Sequence, residues 1–515
     1  MKKILKTIGL LLLHAAVLLV VLVNRYCFDM NETATMIGAA AYLILLQVWY
    51  RRKTKEQKGK FAAFKRIALI TADAVIYALV FLFVLINPYW NGASGRLDCF
   101  QKQCDGERMI SRKDALEDFD YAMKYLNRLH PLTMDGMPAD AEAKAEQVRK
   151  EISERESIPT YELSREIESV FALFGDGHTH SDEDYAEPHS MKYSYLMKKD
   201  GYVCVGINGE RFEDFLVTHP GLISYETESY GVLLLKTRVS TLEGLRYLGV
   251  DLSGEITYNY VAEDGTTKDV VVTAEDFLAK DEWYDFTEEQ TGVDLRTKDE
   301  KNEEFVHYEI DEENDLAVLT LNSCRYNALY RKTLAEMFHE IREKGIKNVA
   351  VDLRNNGGGS SLVADEFISY LDTEAYMSWS CEYRLHYFEI PYEQELCTNR
   401  RKEDVFDGNV YLLTSAASYS AAMDFAMLIQ DNGLGTIVGE PCGNLPASYG
   451  EIVGYRLPNS GIYMQVSTKA WHRVDTSKEG LPILPDIDCP AKDALEKVTE
   501  CCRSQTDASI TAQLQ

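Results

Sequence analysis

One hand-over from strand to helix constrains this chain more than any other stretch. Val410 to Leu413 is an apolar, β-type run, and Thr414 to Ser420 (TSAASYS) is a turn of small residues. The helix that follows carries Ala422, Phe425, Ala426 and Ile429 on one side, and Asp431-Asn432-Gly433 ends it. Ser420 therefore stands at a helix mouth, where free backbone N–H groups and the positive end of the helix dipole favour negative charge. A serine so placed suits acyl transfer, because the oxyanion it generates needs preorganised donors. The competing reading is a plain small-residue turn with Ser418 or Ser420 as the helix N-cap.

The neighbouring pattern supports a layered domain over residues 305–500. A strand (Leu316 to Leu321), a helix (Leu329 to Lys344) and a buried strand (Val349 to Leu353) form a βαβ signature. Arg354-Asn355-Asn356-Gly357-Gly358-Gly359-Ser360-Ser361 follows directly. Three consecutive glycines at a strand end let backbone N–H groups approach a ligand or an oxyanion without a Cβ in the way. The spacing lacks both GxGxxG and a following Gly-Lys-Ser/Thr, so it is no phosphate loop; a Gly-rich turn is the alternative.

The first 88 residues are of another kind. Apolar runs at about 8–23, 34–50 and 67–87 read as three membrane-crossing helices. The third has the length that a hydrocarbon core of about 30 Å demands; the first two sit near the lower limit. The loop from Arg51 to Arg66 carries eight basic residues against Glu56 alone, whereas Asn24 to Thr33 has one, Arg25, against Asp29 and Glu32. The positive-inside rule then puts the N-terminus in the cytoplasm and everything after Tyr89 on the outer face. Two crossings plus an interfacial helix would instead leave the large domain cytoplasmic. The chain of 515 residues has a formal net charge of −28, carried by its soluble part, which argues against nucleic acid as a partner. Its eleven cysteines lack the CxxC pairs of a structural zinc site, and Cys99 and Cys104 are close enough in sequence to bridge.

Between membrane region and layered domain the pattern changes four times. Residues 89–110 read as a linker, and 111–192 as helical, with segments at Lys113 to Leu129, Ala139 to Ile152 and Tyr161 to Phe174. The last stops at Gly175-Asp176-Gly177-His178-Thr179-His180. Residues 193–274 turn to β structure, with a strand at Tyr202 to Ile207, a tight Asn208-Gly209 turn and a strand at Asp269 to Thr273. Residues 275–304 are charged and read as a linker, and 501–515 as a tail.

Taken together, these pieces resemble the tail-specific (C-terminal processing) serine peptidases and their tricorn-core relatives. Asp352 to Gly359 resembles that family's DLRNNPGG strand and turn, with Gly357 in place of proline. Ser418-Tyr419-Ser420-Ala421 with Gln430 to Gly433 resembles the nucleophile turn and helix, and Gly439 to Gly443 the next strand. Lys478 to Ile487 resembles the late Glu-Gly-x-x-PDI segment of the tricorn-like branch, and Gly175 to Thr179 the DGHT element that supplies a histidine. The resemblance implies membrane helices followed by an α/β (α+β layered) serine peptidase domain, with 193–274 as either a small, degenerate PDZ-like insert, of the kind that captures extended C-termini, or a structural insert.

The resemblance also has a gap. Where the bacterial members place a lysine base, this chain has Gly443-Asn444-Leu445-Pro446, and no lysine lies between Ser420 and Lys469; their glutamate is replaced by Met423. The implied site is therefore Ser-His-Glu: Ser420 attacks, His178 accepts its proton, and Glu479 supports the imidazolium, with Glu440 as the rival acid and His180 as the spare histidine. Backbone N–H groups of Gly358, Gly359 and Ala421 form the expected oxyanion hole. The cluster His178, His180, Asp182, Asp184 and His189 lacks an HExxH helix, so neither metal nor cofactor is expected. The expected substrate is a polypeptide. A catalytically inactive, peptide-binding or sensing module on the same fold is the alternative.

Overall fold

The computed structural model describes residues 106–182, 188–296, 304–385 and 388–513, together with Cys104 and scattered positions among the first 80. The three apolar runs lie, those scattered positions apart, outside the described residues. Among the described residues no helix is long and apolar enough to cross a membrane.

Three helices open the described part: α1 (Arg112–Leu129), α2 (Ala139–Ser153) and α3 (Thr160–Phe171). Leu163, Ile167, Val170 and Phe171 recur at helical spacing along α3, and all four are buried, so the apolar stripe is the inward face. A short 3-10 turn (Ala172–Phe174) closes on Gly175, whose φ of 59° stops the helical run. The chain returns as the short strand β1 (His180–Asp182). The end of the expected 89–110 linker is also ordered: Met109–Ser111 pairs antiparallel with Ser157–Pro159.

The insert follows: β2 (Tyr202–Ile207), β3 (Glu210–Arg211), α4 (Phe212–Thr218), α5 (Glu228–Val239), α6 (Leu242–Leu248), β4 (Ile256–Ala262) and β5 (Thr267–Val272). Its antiparallel sheet runs β3-β2-β4-β5. Asn208 and Gly209 both have positive φ (52° and 82°), as a two-residue hairpin turn requires. Ile207, Phe212, Leu235, Leu245, Tyr247 and Ile256 make a core of its own. The charged stretch 275–304, expected to be a linker, instead contains α7 (Lys280–Thr291). Only Tyr284 and Thr287 of that helix are buried, so its helical period is nearly invisible beneath the charges.

The last part supplies two sheets from β6 (Val306–Asp311), β7 (Leu316–Leu321), α8 (Ala328–Lys344), β8 (Asn348–Asp352), α9 (Leu362–Ile368), β9 (Ser380–Leu385), β10 (Phe388–Tyr392), β11 (Asn409–Thr414), α10 (Ala421–Asp431), β12 (Thr436–Gly439), β13 (Ser448–Arg456), β14 (Tyr463–His472), β15 (Ile487–Asp488) and α11 (Ala494–Gln513). The first sheet, in the order β6-β7-β8-β11-β12-β15, is parallel apart from its antiparallel edge β6. Alternate residues of its central strands face opposite sides. Val349, Val351, Leu412 and Ile437 pack with α8, α9 and α10, and Ala350, Leu413 and Val438 pack on α11. Coverage on both faces is why these strands read as continuous apolar runs. Cys502 is buried against this second face, so α11 continues into what reads in sequence as a tail.

The second sheet runs β10-β9-β14-β13, with β1 added on β14. Val453, Tyr455, Met464 and Val466 from this sheet share one core with Phe119, Leu126, Leu163 and Phe171 of the early helices. Residues 111–182 are thus a layer of the same unit as residues 305–513, with the insert threaded between. Phe171→Ala would open a cavity in that shared layer, just before the turn that carries His178. It is expected to cost about 3–5 kcal/mol of unfolding free energy. A denaturant titration giving less than about 1 kcal/mol would mean that the early helices do not share the core.

Candidate active site

Ser420 adopts φ 55° and ψ −126°, a backbone conformation rare for a residue with a Cβ, at the junction of turn and helix α10. The turn before it is tied down by its own hydroxyls. Ser418 Oγ donates to Leu353 O at 2.8 Å and accepts from Ser415 N at 3.0 Å, while Ser415 Oγ donates to Arg354 O at 2.7 Å. On either side of the nucleophile position, Tyr419 N donates to Asn356 O at 3.0 Å and Ser420 N to Asn444 Oδ1 at 2.8 Å. Ser420 is no capping serine, since its side chain accepts no hydrogen bond from the helix.

The glycine turn after β8 backs onto this serine. A Cβ on Gly358 would lie 2.7 Å from both Ser420 Cβ and Tyr419 O. Gly358, at φ 100°, donates its N–H to Asn356 Oδ1 at 2.9 Å, so this expected oxyanion donor is already engaged. Gly359 (φ 141°) is held by the backbone of Cys324 and lines the cleft in front of Ser420, as does Ala421, the first residue of the helix. Asn356, fully buried, carries the turn: Nδ2 donates to Leu321 O at 2.8 Å, and Oδ1 also accepts from Cys324 Sγ at 3.5 Å.

A cleft of ≈ 620 Å³ joins Ser420 to His178 and His180, with Tyr230, Tyr419, Asp424, Gly450 and Trp471 among its walls. No hydrogen bond links His178 to Ser420. Nε2 of His178 is buried and has no partner among the described residues. Nδ1 lies 3.3 Å from the Tyr419 hydroxyl and 3.7 Å from Asp176 Oδ1. The backbone around His178 is clamped to the second sheet. Gln465 Nε2 donates to His178 O at 2.8 Å, and Ser467 N to Thr179 Oγ1 at 3.0 Å.

Three carboxylates surround this imidazole, and burial sorts them. Burial alone would raise Asp176, but its bonds to His130 Nε2 (3.2 Å), His178 N (2.9 Å) and Thr179 Oγ1 (2.6 Å), with the nearby imidazoles, hold it well below the usual carboxylate range. Glu226 and Asp424 are each pushed up to about 7, chiefly by burial. Burial would lower His178, yet the hydrogen bonding and charge of Asp176, with Glu226 and Asp424, leave it raised above the ordinary histidine value. Asp176, His178 and Glu226 also bring ligand-type atoms within 4.8 Å of one another, the group among the described residues best placed to hold a cation. Their atoms are engaged with His130, Thr179 and Tyr419, so the cluster is wired as a hydrogen-bond network.

Other expected residues lie elsewhere. Glu479 does not reach His178: its Oε1 is 2.9 Å from His472 Nδ1 and its Oε2 accepts from Arg473 N at 3.0 Å. Its segment follows β14, where Arg473 is bonded to the buried Asp431 at the end of α10. Glu440 accepts from Ala491 N at 3.0 Å, away from the cleft. His180 lines the cleft with Nδ1 on Gly177 O at 3.0 Å. His189 pairs with Glu243 at 2.8 Å, and Asp184 lies outside the described residues. Tyr419, Glu226 and Asp424 escape a reading of the sequence. Only Asp176 carried a signal, as the aspartate within the Gly-Asp-Gly-His-Thr turn.

Residues 315–489 match the profile of Peptidase family S41. A serine-to-alanine variant of CPAF is similar with a TM-score of 0.53 and 13% identity, over 76% of this chain and 95% of that one. Mature CPAF complexed with lactacystin gives 0.51 and 13%, over 78% and 98%. The photosystem II D1 C-terminal processing protease matches over 75% of this chain and 96% of that one at 12% identity, with a TM-score of 0.42. At these identities the CPAF structures speak for a common fold, and the family match names it. Residues 315–489 are thus a domain of Peptidase family S41, the tail-specific serine peptidases, and the chain is a serine-type peptidase.

Proposed function

We propose that this protein is a membrane-anchored peptidase that cuts extended polypeptides outside the cytoplasmic membrane, with Ser420 as nucleophile and His178 as general base. The observation that carries the assignment is the pairing of a backbone-strained serine with a buried, unpartnered imidazole nitrogen in one cleft. Nε2 of His178 has no hydrogen-bond partner among the described residues, which leaves it open to accept the serine proton once the two side chains meet in the cleft. Hydrogen bonds of this kind are commonly long before substrate tightens them. Asp176 takes the supporting role expected of Glu479. Its ionised carboxylate, 3.7 Å from Nδ1, stabilises the imidazolium that forms as Ser420 attacks. The oxyanion of the tetrahedral intermediate, formed as Ser420 adds to the scissile carbonyl, would be met by the N–H groups of Gly359 and Ala421, at the positive end of α10.

The substrate class follows from the cleft wall. β13 stands at the edge of its sheet, and Ser448 to Ile452 of that edge line the cleft. An exposed edge takes an extended chain by adding a strand. The membrane anchor and outward orientation rest on the three apolar runs and on the basic loop from Arg51 to Arg66.

Full-length protein treated with a fluorophosphonate probe should label at Ser420. Labelling should vanish in Ser420→Ala and fall by about 10²-fold or more in His178→Ala. A folded wild-type protein that never labels, yet binds peptide, would identify an inactive binding module instead. The labelling rate should rise with pH, because His178 must be neutral to accept the proton. Its raised pKa puts the acid limb above about 6.5, and Asp176→Asn should move that limb downward. A limb unmoved by that change would remove Asp176 from the mechanism. Gly358→Ala should abolish labelling, since the new Cβ meets Ser420 Cβ and the Tyr419 and Ala421 backbone; a wild-type rate would refute the close approach.

A further inference from the structure

An imidazole that accepts a proton at Nε2 must carry its own proton on Nδ1. Something has to enforce that tautomer. Asp176 is badly placed to do so. A separation of 3.7 Å is beyond hydrogen-bond length, and both its oxygens already accept, from His178 N, Thr179 Oγ1 and His130 Nε2. The nearer group is the hydroxyl of Tyr419, 3.3 Å from Nδ1.

A phenol has one proton to give. The Tyr419 hydroxyl lies 3.0 Å from Oε1 and 3.0 Å from Oε2 of Glu226. While Glu226 is a carboxylate it can only accept, so Tyr419 donates to it and turns its oxygen lone pair to His178. That lone pair is satisfied by an Nδ1–H. Take away the acceptor, and the phenol is released to donate to Nδ1, which drives the imidazole proton to Nε2 and blocks the base. We propose that Glu226, acting through the Tyr419 hydroxyl, is a positioning residue that holds His178 in its Nδ1-protonated form. The proposal rests on the Ser420–His178 assignment above and adds to it a group from the insert, since Glu226 sits just ahead of α5.

The surroundings hold this chain of donors still. Tyr230, on α5, stacks on Tyr419 with ring centroids 4.2 Å apart and 16° between planes. The His178 ring also lies against Tyr419, with centroids 4.7 Å apart and 40° between planes. Thr227 Oγ1 donates to Gly443 O at 2.7 Å, pinning the residue after Glu226 to the domain that carries Ser420. Gly177 leaves the necessary gap: a Cβ there would come within 2.5 Å of the Tyr419 hydroxyl and 2.8 Å of Glu226 Oε2. The titratable groups facing Glu226 are Asp176, His178, Tyr230 and Tyr419. Burial and Asp176 push its carboxyl up to about 7 against the pull of His178, Tyr419 and Gly177 N–H, so above that pH it can only accept, while below it the acid O–H can donate to the Tyr419 oxygen and free the phenol proton.

The test is a mutant cycle on the full-length protein with Glu226→Leu, which leaves no acceptor for the phenol, Tyr419→Phe and the double variant. It reads the fluorophosphonate labelling rate at pH 8 and the tautomer of ¹⁵N-labelled His178, assigned by difference from His178→Ala. Each single change should slow labelling about tenfold or more, as a base held in the wrong tautomer does. The double variant should be no slower than the worse single, because both changes cut one path. His178 should carry its proton on Nδ1 in the wild type and lose that preference in the variants. Multiplicative losses, singles that label at the wild-type rate, or an unchanged Nδ1-protonated signal would each overturn the relay. A wild type that does not label would sink the Ser420 assignment instead, and the nitrogen spectrum would still decide the tautomer.

Discussion

The catalytic half of this molecule depends on keeping one residue, Ser420, in a backbone conformation that its own Cβ disfavours. A residue at φ 55° and ψ −126° stands at a cost of about 1–3 kcal/mol and persists only where the surroundings over-determine it. Here two asparagines do so. Asn356 receives Tyr419 N on its carbonyl, and Asn444 receives Ser420 N on its side chain, so consecutive peptide N–H groups are pulled in different directions. The hydroxyls of Ser415 and Ser418 tie the turn to the end of β8, and Gly358 leaves the space that the serine fills. The two glycine- and serine-rich turns are therefore one object. Neither could keep its shape if the other were replaced by an ordinary loop.

The base reaches this object from 242 residues upstream, and the second sheet is what delivers it. β1 pairs with β14, while Gln465 and Ser467 of β14 hold the backbone of His178 and the side chain of Thr179. Behind that contact, α3 and α1 pack their apolar faces on Val453, Tyr455, Met464 and Val466. A shared hydrophobic core thus converts a distant sequence position into a fixed side-chain location. Close packing makes such placement stiff enough for chemistry.

The sequence made some of this legible and hid the rest, for physical reasons. Continuous apolar strands and the α3 stripe announce themselves because burial on both faces, or on one helical face, leaves a periodic trace. Ser420 and His178 stand out because their turns need glycine and small residues. Glu226 and Tyr419 leave no such trace. Their roles come from a tertiary meeting of residues 176, 226 and 419, and a tyrosine or a glutamate in isolation looks like any other. Glu479 misleads for a related reason. Its motif fixes the path of the chain through Asp486, whose carboxylate accepts from Ile437 N, yet says nothing about which side of the sheet the glutamate faces. The helix α7 fails to show because only two of its residues are buried.

The same geometry explains how three carboxylates stand around one imidazole without mutual rejection. Like charges at short range in a buried site separate their pKa values, and the group with most hydrogen bonds stays ionised. Asp176 collects donors from His130, His178 and Thr179 and keeps its charge; Glu226 and Asp424, poorer in donors, rise to about 7. One permanent negative charge beside His178 is enough to favour the imidazolium as the serine attacks. Glu226 ionises as the pH passes about 7, and its carboxylate then takes the Tyr419 proton and leaves the Tyr419 oxygen to accept from His178 Nδ1–H. The graded burial therefore sets both conditions that a histidine base needs: an anion close by in the transition state and an unprotonated Nε2 before it.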